Sequence, residues 1–406
     1  MIETISVTNF KSLARFSLRF SKFNCLVGMN GAGKSTVLQA IDFIAQLMEG
    51  RISEWLEMRE WTAQDLHCKL RPESSIGLTV SYRFSDGRQI KWEANFNRHE
   101  LQCSQEEVLV VPEGGEQLRV KGKNYRLAGG PEMPIVFHYQ GSVLSQLRND
   151  NLPLVVQEFR DSMRRVRSLE LLAPNLMRKR ARTTDSGIGA GGEKLTAFLH
   201  GIRGEQRNAL VALLKTFYPQ LIDFKVSSQR AGWKKLNVIE QFGSQRLETE
   251  ARHINDGLLR VLAILAQTDS NRSLILLDEI ENGMNPEIIE KLVDVLVGAS
   301  QQILVTSHSP MIINYLDDAV AREGINFIYK NPKGETRARP FFSIPRIGEK
   351  LKVMGPGEAF VDTDLKLLTQ ECVALDDKDP VEEPARIRRV RRAPVPSSAS
   401  GGSAKS

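Results

Sequence analysis

The chain has few of the features that mark membrane or secreted proteins. Its 406 residues include only four cysteines, Cys25, Cys68, Cys103 and Cys372, and none of them forms a C-x-x-C pair. This spacing argues against a disulfide framework or a zinc site and favours free thiols in a reducing cytoplasm. No apolar run approaches the roughly 20 residues that cross a bilayer, and the N-terminus lacks the pattern of a signal peptide. We therefore expect a cytoplasmic protein with no membrane partner.

The sequence also lacks a large excess of either charge, but its arginines are clustered. Lys and Arg number 55 and Asp and Glu 49, which gives a net charge of +6. One cluster comprises Arg160, Arg164, Arg165, Arg167, Arg178, Lys179, Arg180 and Arg182. It is consistent with a surface for DNA or a protein partner, and equally with a solvated helix face whose arginines pair with acids. A second cluster, Arg386, Arg388, Arg389, Arg391 and Arg392, lies in a polar stretch, 376–406, that is predicted to be disordered.

The N-terminal part of the chain combines strands, a helix and an antiparallel sheet. Residues 2–28 are predicted to form strands, and apolar residues at helical spacing predict a helix over 34–48. Between 76 and 128, apolar and polar residues alternate with a period of two, and a turn at 85–88 joins two of the segments. This segment is predicted to be an inserted antiparallel β-subdomain.

The remainder of the chain is predicted to complete an α/β fold. A strand over 134–139 is followed by a helical insertion over 142–217, and 222–248 returns to strand-like alternation. From residue 254, helices alternate with short, fully apolar strands, which is typical of a parallel sheet covered by helices. We expect one domain over 1–375.

The strongest motif lies between the third predicted strand and the first helix. Residues 28–36 read GMNGAGKST and fit G-x-x-x-x-G-K-[ST], the loop whose backbone N–H groups surround a phosphate chain. Lys34 is expected to reach the β- and γ-phosphates of ATP, and the Ser35 hydroxyl to bind Mg²⁺. The residues expected to contact the nucleotide are Asn30, Gly31, Ala32, Gly33, Lys34, Ser35 and Thr36.

Two later strands each end in polar residues. The apolar run 274–277 delivers Asp278 and Glu279 to its C-terminal end, where open α/β sheets bind ligands. Asp278 is predicted to bind Mg²⁺ and Glu279 to act as the general base for the attacking water. The next strand is followed by His308, which can donate a hydrogen bond to a γ-phosphate. A lone histidine is more often structural, but the order of the strands places these residues close together.

A polar turn also precedes the helix that begins near residue 256. Asn255, Asp256 and Gly257 form a second potential anion site, because a helix N-terminus presents free N–H groups. Such helix caps are common, so the turn is weak evidence when taken alone.

The order of these motifs resembles that of ABC-type ATPases. The opening ISVTNFKS, the phrase DEIENGMNP and the phrase TSHSP are similar to the RecF, OLD and SMC-like branch over nearly all of residues 1–370. The resemblance implies that the signature turn at 255–257 completes the ATP site of a second subunit and that His308 is the switch histidine. It also implies a glutamine near Mg²⁺, and Gln140 is our prediction for it. The chain departs from the family pattern at Asn255, where serine is usual, and at Asn285, where histidine is common.

The same resemblance sets our expectations for function. We expect ATP and Mg²⁺ as cofactors, and a homodimer or higher homo-oligomer that sandwiches ATP between heads. The sequence shows no nuclease motif after the ATPase core, so a separate effector such as a nuclease is expected, with DNA as a further potential partner. The leading expectation is an ATPase subunit of a bacterial anti-phage defence complex that gates this effector. The alternatives are a RecF-like DNA-repair ATPase and a scaffold that binds ATP without hydrolysing it.

Overall fold

Strands and helices follow one another along the chain largely in the predicted order. The computed structural model describes residues 1–73, 75–111, 114–182, 187–268, 271–309 and 311–378. The strands are β1 (Ile2–Phe10), β2 (Leu13–Arg19), β3 (Phe23–Val27), β4 (Ser75–Arg83), β5 (Gln89–Asn97), β6 (Gln102–Val111), β7 (Gly115–Lys121), β8 (Asn124–Leu127), β9 (Met133–Pro134), β10 (Arg167–Ser168), β11 (Leu221–Ser228), β12 (Lys234–Phe242), β13 (Gln245–Glu250), β14 (Leu274–Leu277), β15 (Gln302–Thr306), β16 (Ile325–Lys330) and β17 (Thr336–Pro340). The helices are α1 (Lys34–Glu49), α2 (Ile52–Met58), α3 (Leu154–Arg164), α4 (Pro174–Met177), α5 (Leu195–Gly201), α6 (Gly204–Phe217), α7 (Asp256–Thr268), α8 (Pro286–Val297), α9 (Met311–Asn314), α10 (Asp318–Gly324), α11 (Pro345–Lys350), α12 (Pro356–Val361) and α13 (Leu365–Lys378).

The largest sheet is antiparallel and has eight strands in the order β2-β1-β4-β5-β6-β7-β8-β9. Its strands alternate buried and exposed residues, as expected for a sheet with one face on the core. The segment 76–128 supplies most of this sheet, but β4 pairs directly with β1, with Val7 opposite Leu78. The segment therefore extends the N-terminal strands instead of forming a separate sheet.

A second sheet has six strands in the order β10-β14-β15-β3-β16-β17, all parallel except β17. The strands β14, β15 and β3 are buried on both faces, which explains their continuous apolar sequences. β10 was missed in the sequence, because it lies within the stretch 142–217 that we predicted to be helical. The antiparallel sheet and helix α1 pack against one face of this sheet, and α7 and α8 against the other.

The strand predicted over 134–139 and the disordered tail predicted from 376 both differ from the structure. Only Met133 and Pro134 of the region around 134–139 form a strand. Pro134 has no N–H to continue the ladder, and the Val136 side chain beyond it is 86% exposed. At the other end, α13 continues to Lys378, so the predicted disordered tail does not begin at 376. The arginines at 386–392 lie outside the described residues.

The third sheet, of three antiparallel strands in the order β11-β12-β13, packs its apolar face into the same core as α6 and α7. All four cysteines are buried free thiols, in agreement with the sequence. In the part of the chain that the structure describes, no helix is both long enough and apolar enough to span a bilayer.

Candidate functional site

The loop between β3 and α1 requires glycine at two positions. A Cβ at Gly28 would lie 2.1 Å from the carbonyl oxygen of Ile328, and one at Gly33 would lie 2.3 Å from Thr336 Oγ1. Their φ angles are 149° and 109°, which side chains rarely tolerate. At Gly31, no described atom lies within 4 Å of the ideal Cβ position, so this part of the loop borders open space. The loop is therefore shaped to enclose a ligand with backbone atoms.

Strand β17 holds this loop from behind. Thr336 donates its hydroxyl hydrogen bond to the Ala32 carbonyl oxygen at 2.9 Å, and its Oγ1 also lies 2.8 Å from Ser12 Oγ. Thr336 is fully buried. Sequence reasoning missed this residue, because it is some 300 residues from the loop and belongs to no motif.

Lys34 begins α1 and turns its side chain back over the loop. Its ammonium donates to the carbonyl oxygens of Gly28 at 2.9 Å and Met29 at 3.2 Å, and lies 3.3 Å from His308 Nδ1. Burial lowers the pKa of Lys34, while the nearby carboxylates of Asp278 and Glu279 raise it. The ammonium thus lies inside the loop, where a phosphate chain would meet it.

Asp278 and Glu279 follow β14, and Thr306 at the end of β15 holds the Asp278 carboxylate and the Glu279 backbone. Thr306 donates its hydroxyl to Asp278 Oδ1 and accepts a hydrogen bond from the Glu279 N–H at 2.9 Å. Glu279 has a φ of 47°, which is uncommon for a residue with a side chain and is found most often at functional sites. The strained backbone turns the Glu279 carboxylate toward His308.

His308 connects the two halves of the site. Its Nε2 lies 3.5 Å from Glu279 Oε1, and its Nδ1 lies 3.3 Å from the Lys34 ammonium. The structure therefore brings together Lys34, Asp278, Glu279 and His308, as the sequence predicted. Asn30, Gly31, Ala32, Gly33, Ser35 and Thr36 occupy the same loop and the first turn of α1.

Glu281 fixes the backbone around His308, and sequence reasoning gave it no role. Its Oε1 accepts hydrogen bonds from Ser307 Oγ at 3.1 Å, His308 N at 2.7 Å and Ser309 N at 3.1 Å. No other carboxylate oxygen of this site accepts three hydrogen bonds among the described residues. Its signal in the sequence was its place two residues after Glu279, in the phrase DEIENGMNP.

Ser35 and Asp278 could supply oxygen ligands to Mg²⁺, which prefers one or two protein carboxylates together with substrate phosphates. The prediction for Gln140 was wrong. Its amide exchanges hydrogen bonds with Ser53, with Oε1 accepting from the Ser53 N–H at 2.9 Å and Nε2 donating to Ser53 Oγ at 2.8 Å. Ser53 lies beyond the C-terminal end of α1, whose 16 residues span about 24 Å. Gln140 is therefore at the end of the helix far from Ser35.

Glu170 lies just beyond the C-terminal end of β10, the strand beside β14. β10 runs parallel to β14 with Ser168 opposite Leu276, and continuing this register by two residues brings Glu170 level with Asp278. Glu170 accepts from Gln39 Nε2 at 2.5 Å and pairs with Arg59 at 3.0 Å. Burial raises its pKa, and the Asp278 charge raises it further, against the opposing charge of Arg59.

The signature turn packs beside the loop that follows Glu279. Asn255 Oδ1 accepts from the Leu258 N–H at 2.8 Å, so Asn255 caps α7. Gly257 packs against Gly283, whose carbonyl oxygen is 3.0 Å from the ideal Cβ position. Arg178 bonds to Asp256 Oδ1 and, at 2.7 Å, to the Ile254 carbonyl oxygen. Among the described residues, this turn forms no hydrogen bond or ion pair with 28–36.

The arginine cluster at 160–182 does not form one surface. Arg160 is 3% exposed and donates to the carbonyl oxygens of Leu144 and Leu147. Arg164 donates to the Met48 carbonyl oxygen at 2.8 Å. These residues tie α3 to the C-terminal end of α1 and to the segment 144–147. Only the later members of the cluster, Lys179, Arg180 and Arg182, are exposed.

The topology of the parallel sheet and the side chains at its edge define the head of an ABC-type ATPase. A family model described as an AAA ATPase domain matches residues 1–111, and one described as an AAA domain of the AbiEii toxin and type IV toxin–antitoxin systems matches 160–314. The fold resembles an SMC head solved in complex with the C-terminal winged-helix domain of ScpA, at a TM-score of 0.50 and 13% identity over 83% of this chain and 96% of that one.

The chain also resembles the DNA replication and repair protein RecF of Porphyromonas gingivalis, with 50% identity over 46 residues. That match spans 11% of this chain and 13% of RecF. Taken with the fold and the two family models, it supports an ABC-type ATPase of the RecF and SMC branch.

Proposed function

We propose that the chain hydrolyses ATP between two copies of its head. The observation that carries this proposal is the exposure of Asn255 and Asp256 in the signature turn. The turn lies beside Gly283 and, among the described residues, forms no hydrogen bond or ion pair with the P-loop of the same chain. A helix N-terminus with free N–H groups favours an anion, and the γ-phosphate held by a second copy supplies one. Each head then carries half of two sites.

The side chains gathered at the sheet edge suit phosphoryl transfer to water. Lys34 is placed to bind the β- and γ-phosphates, and the oxygens of Ser35 and Asp278 would hold Mg²⁺, which would neutralise phosphate charge. Glu279 accepts a proton from the attacking water. His308, whose backbone is fixed by Glu281, contacts both Lys34 and Glu279, so a γ-phosphate bound at Lys34 would lie close to His308.

We further propose that this ATPase is a subunit of a bacterial anti-phage defence complex, in which nucleotide state controls a separate effector such as a nuclease. The family that matches 160–314 is one of type IV toxin–antitoxin systems, which supports this role. The related SMC head was solved with another protein bound, which supports a partner protein. The RecF match favours DNA repair as the second candidate.

Three measurements separate these functions. Phosphate release with bound ATP tests hydrolysis, since a scaffold binds ATP with negligible turnover. Plaque formation on cells that express the chain with its genomic neighbours tests defence, and Lys34→Ala should abolish protection. Survival after DNA damage tests repair. Wild-type plaque numbers together with restored damage survival would replace the defence proposal by the repair one.

A further inference from the structure

A basic surface lies at one end of the three-stranded sheet and is distinct from the nucleotide site. Four segments of the chain contribute its cations: Arg180, Arg182, Arg203, Arg230, Lys234, Lys235 and Arg252. Two of the segments are joined by a backbone hydrogen bond from Lys234 N to the Ala181 carbonyl oxygen at 2.8 Å. Glu250 links Arg180, Lys235 and Arg252 through ion pairs. We call this set the basic surface.

A single carboxylate sits among these cations. Glu250 pairs with Arg180 at 3.1 Å, Lys235 at 3.2 Å and Arg252 at 3.0 Å. Burial raises the pKa of Glu250, but these hydrogen bonds and charges bring it below the ordinary value, so Glu250 counts as one negative charge. One carboxylate cannot neutralise three cations.

The other cations of the basic surface have no acidic partner among the described residues. These are Arg182, Arg203, Arg230 and Lys234. The positive charge of these residues also acts on nearby His200. Burial lowers the pKa of His200, and the charges of Lys234 and Arg203 lower it further. The surface therefore carries a strong excess of positive charge, which a polyanion would relieve.

An exposed aromatic ring lies within this charge. Trp233 is 39% exposed, and the Arg182 guanidinium lies 4.7 Å from its ring centroid. The turn before it is closed by a hydrogen bond from Gln229 N to the Trp233 carbonyl oxygen at 2.6 Å, with Ala231 in the left-handed region at a φ of 56°. This turn presents Trp233 and Arg230 together at the surface.

We propose that the basic surface binds single-stranded nucleic acid, with phosphates at its unpaired cations and a base stacked at Trp233. Clustered Lys and Arg bind the phosphate chain. An exposed aromatic ring beside arginine is a platform for an unpaired base, whereas a duplex keeps its bases stacked inside. The proposal goes beyond the ATPase function and does not depend on it.

Fluorescence anisotropy with the full chain tests whether the cations of the basic surface bind phosphates. The probe is a labelled oligothymidine of about 20 nucleotides, longer than the roughly 4–16 that typical sites cover. Arg182→Glu with Arg230→Glu should weaken binding and flatten the log–log salt dependence by about 0.7 for each lost phosphate contact. The matched control is Lys121→Glu with Lys123→Glu, two exposed cations on the β7–β8 hairpin. It should leave the slope unchanged.

Substitution of Trp233 tests whether a nucleic-acid base stacks on its ring. Trp233→Ala should weaken oligothymidine binding roughly 5- to 150-fold, and Trp233→Phe should restore most of the affinity. ATP turnover without nucleic acid should stay at the wild-type rate in every variant, so this test can fail independently of the proposed ATPase function. Absence of binding by wild type, equal or tighter binding of a duplex of the same length, or an equal loss in the lysine control would each overturn the proposal.

Discussion

Replacing Glu281 by alanine should slow ATP hydrolysis without preventing ATP binding. The substitution removes the acceptor that Ser307, His308 and Ser309 share, with donor–acceptor distances of 2.7–3.1 Å. A hydrogen bond to a charged group contributes about 1.5–3 kcal/mol, but the loop is partly exposed and water can replace part of the loss. We therefore expect the substitution to destabilise the ordered conformation of the loop 307–309 by about 2 kcal/mol. This corresponds to a roughly 30-fold lower turnover.

The assay is phosphate release at saturating Mg-ATP, with calorimetry for ATP affinity. Glu281→Ala should lower kcat about 30-fold and change the ATP Kd little, because Lys34 and the P-loop remain intact. Glu281→Gln keeps a carbonyl oxygen as acceptor and should recover most of the turnover. Glu290→Ala, an exposed acid on α8, serves as the control. Wild-type turnover in Glu281→Ala, or parallel losses of kcat and ATP affinity, would refute the positioning role.

Three further predictions concern single side chains. Lys34→Ala should lose ATP binding in calorimetry with an unchanged melting temperature, and retained affinity would contradict the phosphate role of the ammonium. Glu279→Gln should bind ATP, hydrolyse it about 10²–10⁴-fold more slowly and accumulate as a dimer in light scattering; a variant that no longer binds ATP would contradict a general base. Burial raises the pKa of Glu106 to about 7 from an ordinary 4.5. The folded state then keeps a proton that the unfolded state releases, so this contribution to stability is complete below about pH 4.5 and is lost as pH rises through about 7. Between pH 5 and pH 8, wild type should lose up to about 3 kcal/mol more than Glu106→Gln in denaturant titrations, and identical pH dependence would refute the assignment.

The motifs that occupy one strand and its following turn could be predicted from the sequence. The P-loop is bounded by β3 and α1, and Asp278 and Glu279 end an apolar strand, so local order fixes their placement. His308 follows the next strand, and parallel strands bring such ends to one edge.

The residues that were missed depend on contacts between distant segments. Glu170 lies after a strand of only two residues within a stretch that looks helical, so nothing local marks it as the neighbour of Asp278. Gln140 was predicted from a strand that ends at Pro134 and therefore does not lead to the sheet edge. The arginines at 160–182 looked alike in sequence, but Arg160 is buried and Arg182 is exposed, because their partners are set by tertiary packing.

One short stretch, 178–182, contacts both the signature turn and the basic surface. Arg178 holds Asp256 of the signature turn, while Ala181 and Arg182 contact Lys234 and Trp233. A ligand that displaces Arg182 from Trp233 would also shift Arg178, because the two residues belong to the same short segment. If a ligand bound at Trp233 increases the affinity of the signature turn for nucleotide by some factor, bound nucleotide must increase the affinity for that ligand by the same factor. Through this stretch, nucleotide binding at the signature turn and ligand binding at the basic surface would be coupled.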